Sequence, residues 1–113
     1  MYALKNKVQL IGNLGKAPEM KEIAGGKKMA RMSIATSESY RNANGEKVTE
    51  TQWHTVIAWG TFAEIAEKYL SKGSELAVEG KLVYRSYTDK EGNQKYVTEV
   101  VANELLMIGA KAS

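Results

Sequence analysis

"TQWHTVIAWG", residues 51–60, holds both tryptophans and the only histidine of the chain. Side chains alternate along an extended strand, so Trp53, Thr55, Ile57 and Trp59 share one side while His54, Val56 and Ala58 share the other. Two large aromatics therefore stand on one stripe, and the reading of the fold turns on whether that stripe is core or surface. Hydropathy alone points inward, because the Trp53, Ile57, Trp59 side is the greasier of the two.

Around this strand the chain reads mostly as strand and turn. "NKVQLIGNL" precedes it and ends in a Gly-Asn turn signal at Gly12 and Asn13, and Gly25 and Gly26 open a long strand from Lys27 to Tyr40. After it, "TFAEIAEKYLSKG" is the one helix. Thr61 and Glu64 have capping-box spacing, Phe62, Ile65, Ala66, Tyr69 and Leu70 fall on one face, and Lys72 with Gly73 suits a C-terminus. "SELAVEGKLVYRSY" and "KYVTEVVANELLMI" then flank "TDKEGNQ" as a hairpin with a loop longer than two residues. The expected fold class is all-β with one short helix. Five strands with the helix between the third and fourth is the order of an OB-fold Greek-key barrel, and a small β-sandwich fits the same pattern.

With 113 residues, the chain is expected to form one domain, residues 1–113, with a core from about 5 to 108. No apolar run has the length of a membrane span, and the opening "MYALKNKVQL" has neither secretory nor transit character, so the expected compartment is the cytoplasm. A net charge of +3, from 16 basic and 13 acidic residues, leans only slightly toward polyanionic partners. Zero cysteines and one histidine rule out thiolate metal sites, Cys-His pairs and multi-histidine centres. No catalytic constellation, metal or cofactor is implied, and His54 reads as a packed or interface histidine. What remains is an interleaving of aromatics and cations at strand ends, Tyr40 beside Arg41, and Tyr84, Arg85 and Tyr87 at the mouth of the last hairpin. That mixture suits stacking of unpaired bases with charge nearby for phosphate.

Taken in order, "NKVQLIGNLGKAPE", "ATSESY", "TQWHTVIAWG", "AEIAEKYLSKGSELAVEGKL" and "YTDKEGNQKYVTEVVANEL" resemble the bacterial single-stranded DNA-binding proteins, over about Asn6 to Leu106. The resemblance implies an OB-fold whose exterior binds single-stranded DNA without sequence preference, in replication, recombination and repair, usually as a homotetramer. It assigns base stacking to Tyr40, Trp53, Trp59 and Tyr87, and a subunit-interface role to His54. It also reverses the hydropathy reading by placing Trp53 and Trp59 outside the barrel. Gly12, Gly60, Gly73 and Gly80 match family glycines at turns and strand bends. Lys7, Arg31, Lys72 and Arg85 are the candidate phosphate contacts.

The sequence departs from the family pattern in four respects, of which all but Ala17 bear on function. Tyrosine stands at 40 and 87 where tryptophan is common, and tryptophan at 59 where phenylalanine is common, which keeps stacking capacity. Thr55, Val83 and Ser86 occupy positions that are often basic, which thins the cationic face. Ala17 replaces a commonly acidic turn residue. After "LLMIGAKAS" the sequence has no counterpart of the flexible, acid-tipped tail through which family members recruit replication and repair proteins, so that recruitment is not expected. Two alternatives to DNA coating fit the same sequence: a primosome-type accessory OB protein, and a protein interaction module whose partner covers the tryptophan stripe.

Overall fold

The computed structural model describes residues 5–108. Along them run β1 (Val8–Leu14), β2 (Glu19–Ile23), β3 (Lys27–Arg41), β4 (Lys47–Trp59), α1 (Thr61–Tyr69), β5 (Glu75–Thr88) and β6 (Gln94–Ile108). The strands are ordered β1-β5-β6-β4-β3-β2, and a further β1–β3 pairing closes the sheet on itself. Five strands thus make a closed barrel, antiparallel except where β4 and β6 run parallel at Val56–Val100 and Ile57–Val101. This is the expected OB barrel. The sandwich is excluded by the closure.

One strand was not legible in the sequence. β2 pairs only with β3, from Glu19 opposite Arg31 to Ile23 opposite Lys27, and forms an arm of that strand outside the barrel circuit. Its residues, "EMKEI", are exposed except for a half-buried Met20, so no apolar alternation announces it. With β2 counted, the helix falls between β4 and β5, which are the third and fourth strands of the barrel.

Gly12 and Asn13 are not a turn, as the Gly-Asn signal suggested, but the interior of β1. There the strand passes from β5, its partner from Val8 to Asn13, to β3, which it meets at Asn13 and Leu14. A Cβ at Gly12 would strike the Ala35 carbonyl, so the close approach that seals the barrel requires glycine. Gly80 does the same against the Val101 carbonyl, where the β5–β6 register slips.

The helix begins differently from the capping box. Gly60, with φ of 59°, is the N-cap residue, its carbonyl accepts the Glu64 N–H at 3.0 Å, and Thr61 is already helical and caps nothing. Ala63, Ala66 and Leu70 are the buried positions, Phe62 and Ile65 are partly buried, and Tyr69 is exposed instead of facing the core. Lys28 Nζ on β3 meets Glu67 Oε1 at 2.9 Å and ties the helix to the barrel rim.

The core is made of modest side chains: Leu14, Ala30, Met32, Ile34, Val56, Ala58, Leu76, Val78, Val100 and Ala102 from the strands, with the helix residues at one end. Val56 and Ala58 are completely buried, so the leaner side of β4 points inward. A five-stranded barrel has room for small branched side chains and none for two indoles, which is why volume overrides hydropathy here.

Candidate nucleic-acid interface

Pairing between β3 and β4 sets Met29 opposite Trp59, Arg31 opposite Ile57, Ser33 opposite Thr55 and Ala35 opposite Trp53. Directly opposed residues share a face, so these eight side chains form one outward stripe across the two strands. Trp53 is 61% exposed and Trp59 40%. The Trp53 ring lies over Gly15, where a Cβ would come within 2.5 Å of Cζ3. Gly15 is itself held by its N–H donating to the Ser33 carbonyl at 3.0 Å, so a backbone shelf supports the indole.

Beside Trp59 the outer surface sinks into a shallow groove of about 320 Å³, bordered by Lys21, Arg31 and Arg85, with Glu99 and Ile57 among its lining residues. Ile57 is on the outward stripe yet only 5% exposed, which makes it part of the floor. Arg85 donates to Glu99 through Nε to Oε1 at 2.9 Å and through Nη2 to Oε2 at 2.8 Å. The hydrogen bond from Arg85 holds the Glu99 carboxyl below its ordinary range against the opposing effect of burial, with the charges of Arg85 and Arg31 acting in the same direction as the bond. The same partnership raises the already high Arg85 value. The groove therefore contains a neutral, planar ion pair with the Arg31 cation alongside, a surface suited to flat rings and anionic oxygens together.

Of the expected stacking residues, the structure gathers three on this exterior. Tyr87, half-exposed, continues the outward face of β5 two residues beyond Arg85, and lies opposite Lys95. Tyr40 is placed apart. Its hydroxyl donates to Glu50 Oε2 at 3.3 Å, and Glu50 lies opposite Glu38, so Tyr40 occupies the other face of the β3–β4 ribbon from Trp53. A ligand touching both rings has to pass round the edge of that ribbon.

The expected cations divide similarly. Arg31 and Arg85 border the groove. Lys7 is paired with Glu79 at 3.6 Å, which also accepts from Gln9, and so belongs to the β1–β5 face. Lys72 is exposed on the turn after the helix, next to Gly73, whose N–H donates to Leu14, the residue before the shelf at Gly15. His54 is half-buried on the inward side of β4, its Nε2 2.9 Å from Thr36 Oγ1.

Reading the sequence missed Lys21 and Glu99. Lys21 sits on the unrecognised β2, whereas Glu99 carried a usable signal: it alternates with Val97 and Val101 on the outward side of β6, two residues from the stripe's parallel partner position. The sequence cluster Tyr84, Arg85 and Tyr87 is split by strand alternation, with Tyr84 on the opposite face of the hairpin. Among the described residues no cluster of three or more carboxylate or imidazole side chains forms a metal site.

Comparison with known proteins agrees with this architecture. The model of the Single-strand binding protein family matches residues 5–108. Single-stranded DNA-binding protein 1 of Chlorobaculum tepidum is 44% identical over 109 residues, covering 96% of this chain and 67% of that protein. Its namesake from Xylella fastidiosa is 44% identical over 107 residues, covering 94% and 79%. Among solved structures, a Plasmodium falciparum SSB in complex with ssDNA superposes with a TM-score of 0.83 at 32% identity, covering 91% of this chain and 94% of that one. A deletion mutant of the single-stranded DNA binding protein from Thermus aquaticus gives 0.80 at 29% identity, and this chain spans 51% of it. The family match across the whole barrel, together with these identities, establishes that the chain belongs to the single-strand binding protein family.

Proposed function

We propose that the protein binds single-stranded DNA without sequence preference across the outer face of the barrel, and protects it during replication, recombination and repair. The observation that carries this is the exposure of Trp53 and Trp59 on one outward stripe, beside the groove of Arg31 and Arg85. Every base offers a π-face, so stacking on such rings is tolerant of sequence, while the cations neutralise the backbone. Tyr87 extends the track along β5, and Tyr40 joins it where the strand rounds the β3–β4 ribbon. Arg31 and the solvent-facing edge of Arg85 meet phosphate, with Lys21 beside them and Lys72 near the Trp53 end. Lys7 is the weakest of the candidate contacts, because it lies on the β1–β5 face beside Glu79 and does not border the groove. The family membership and the likeness to an SSB solved with ssDNA support the same reading.

The assembly that goes with this function is a homotetramer in the cytoplasm. What supports association is an apolar patch on the sheet of β1, β5 and β6, where Ile11, Ala77 and Leu106 stand in one row. Ile11 and Leu106 are 61% and 66% exposed, a burden for a lone barrel that a second copy relieves. His54, half-buried and hydrogen-bonded through one ring nitrogen, suits the interface role that the family resemblance implies.

Titration with an oligothymidylate, read by intrinsic tryptophan fluorescence, tests the binding function. Saturable quenching that competitors of other base compositions reverse is the expected result. A folded protein whose fluorescence and mobility ignore the oligonucleotide contradicts it.

A further inference from the structure

Beyond Leu82, the hairpin of β5 and β6 leaves the barrel. β1 pairs with β5 only as far as Gly80, Asn6 then brackets Leu82 by accepting its N–H at 2.8 Å and donating to its carbonyl at 3.0 Å, and β4 pairs with β6 only at Val100 and Val101. Residues 84–98 therefore form a two-stranded ribbon exposed on both faces, apart from half-buried Asp89 and Val97. One face carries Arg85, Tyr87 and Lys95. The other carries Tyr84 and Tyr96, 73% and 76% exposed, more open than any aromatic assigned to stacking so far.

We propose that Tyr84 and Tyr96 form a second base-binding site for the same single strand, on the far face of this ribbon. The inference rests on the reading of the barrel exterior as a single-strand surface. Tyr84 lies opposite Thr98 and Tyr96 opposite Ser86, so the two rings are diagonal neighbours on adjacent strands. Such neighbours stand roughly 7–8 Å apart, Cβ atoms somewhat closer. That is about the gap that one base fills between two rings at roughly the 3.4 Å repeat of stacked nucleotides. The side chains sharing this face, Ser86, Thr88, Gln94 and Thr98, carry no charge, so nothing on it repels phosphate. At the tip, the Asp89 carboxylate is turned onto its own loop, accepting the N–H groups of Glu91 and Asn93 at 2.9 Å each. A strand held at Tyr87 and Arg85 reaches the pair by passing over the ribbon's edge, where among the described residues no neighbouring strand blocks the way.

A length series of oligothymidylates, bound to the full chain and to Tyr84→Ala/Tyr96→Ala and Tyr84→Phe/Tyr96→Phe double variants, tests the site. Short oligomers that fill only the tryptophan face bind parent and variants alike. Longer ones lose about tenfold or more in affinity with the alanine pair, in keeping with the loss of ring stacking, and keep parental affinity with the phenylalanine pair. Equal binding of parent and alanine pair at every length overturns the proposal while leaving the tryptophan face intact. A parent that binds no length overturns both. A lower assembled mass of the alanine pair in sedimentation also overturns the proposal, by assigning the rings to a contact between copies.

Discussion

Arg85 and Glu99 face each other diagonally across β5 and β6 as a bidentate ion pair, with the guanidinium half-exposed in the groove and the carboxylate 3% exposed beneath it. The pair fixes the plane of the guanidinium and cancels its charge at the place where a DNA backbone is proposed to pass. Positioning and net charge are thus separable here, because one residue supplies the cation and another decides how much of it the ligand feels.

Glu99→Gln keeps the shape of the pair and removes the negative charge. Affinity for an oligonucleotide at low salt is expected to rise. The slope of log affinity against log salt is expected to steepen by up to about 0.7, the contribution of one further neutralised phosphate on a single strand. An unchanged slope, measured on the same oligonucleotide and binding mode, shows that the strand does not contact Arg85.

The same pair gives the fold an acid-sensitive element. The Glu99 carboxyl titrates below the value of 4.5 that it has without partners, chiefly through the Arg85 hydrogen bond. A depressed carboxylate contributes stability that is fully present above the unfolded value and disappears as pH falls through the folded one. The thermal midpoint of the parent is therefore expected to fall on acidification below about pH 4.5, and that of Glu99→Gln to fall less over the same window. Superposable pH profiles contradict the assignment.

Gly15→Ala tests the shelf beneath Trp53. The new methyl would meet the Cζ3 and Cη2 edge of the ring at 2.5 and 2.7 Å, and the indole, being at the surface, can swing aside. Altered Trp53 emission and weaker single-strand binding are expected, with a thermal midpoint near the parent's. Unchanged emission in a Trp59→Phe background, where Trp53 is the sole tryptophan, means that the ring does not rest on Gly15.

Much of this was legible from residues alone. The strand content and the helix position among the barrel strands follow from alternation and order, whereas the choice of barrel over sandwich and the outward placement of Trp53 and Trp59 came from the family resemblance, because alternation shows that the two sides of β4 differ without saying which faces inward and hydropathy pointed the wrong way. What escaped has physical reasons. β2 is too polar to signal itself, the capping-box spacing of Thr61 and Glu64 is overridden by the backbone of Gly60, and Gly12 marks a crossing between strands that looks like a turn in one dimension. The cations were the least legible. Whether Lys7 or Arg85 is free or paired depends on Glu79 and Glu99, which are 72 and 14 residues away along the chain and adjacent only after folding.

Assembly is tested at the apolar row. Ile11→Glu or Leu106→Glu places a carboxylate where Glu79 and Glu104 already oppose each other on the same face. Sedimentation at micromolar concentration is expected to give a tetramer for the parent and a smaller species for either variant, since an unpaired charge is costly in an apolar contact. A parent that sediments as a monomer contradicts the assembly. His54→Lys is expected to act in the same direction through the half-buried inward side of β4.

The most direct test of the account is to measure single-strand affinity and thermal midpoint together for Trp53→Ala and Trp59→Ala. Stacking contributes about 1–3 kcal/mol per base, whereas deleting a tryptophan from a packed core costs about 3–5 kcal/mol of stability. The exposures of 61% and 40% place both rings in the first class. Each variant is expected to lose about tenfold or more in site affinity, for any base composition, while melting near the parent. A variant that melts far below the parent, yet whose folded fraction binds single strands with parental affinity, contradicts the claim that this stripe is a binding surface.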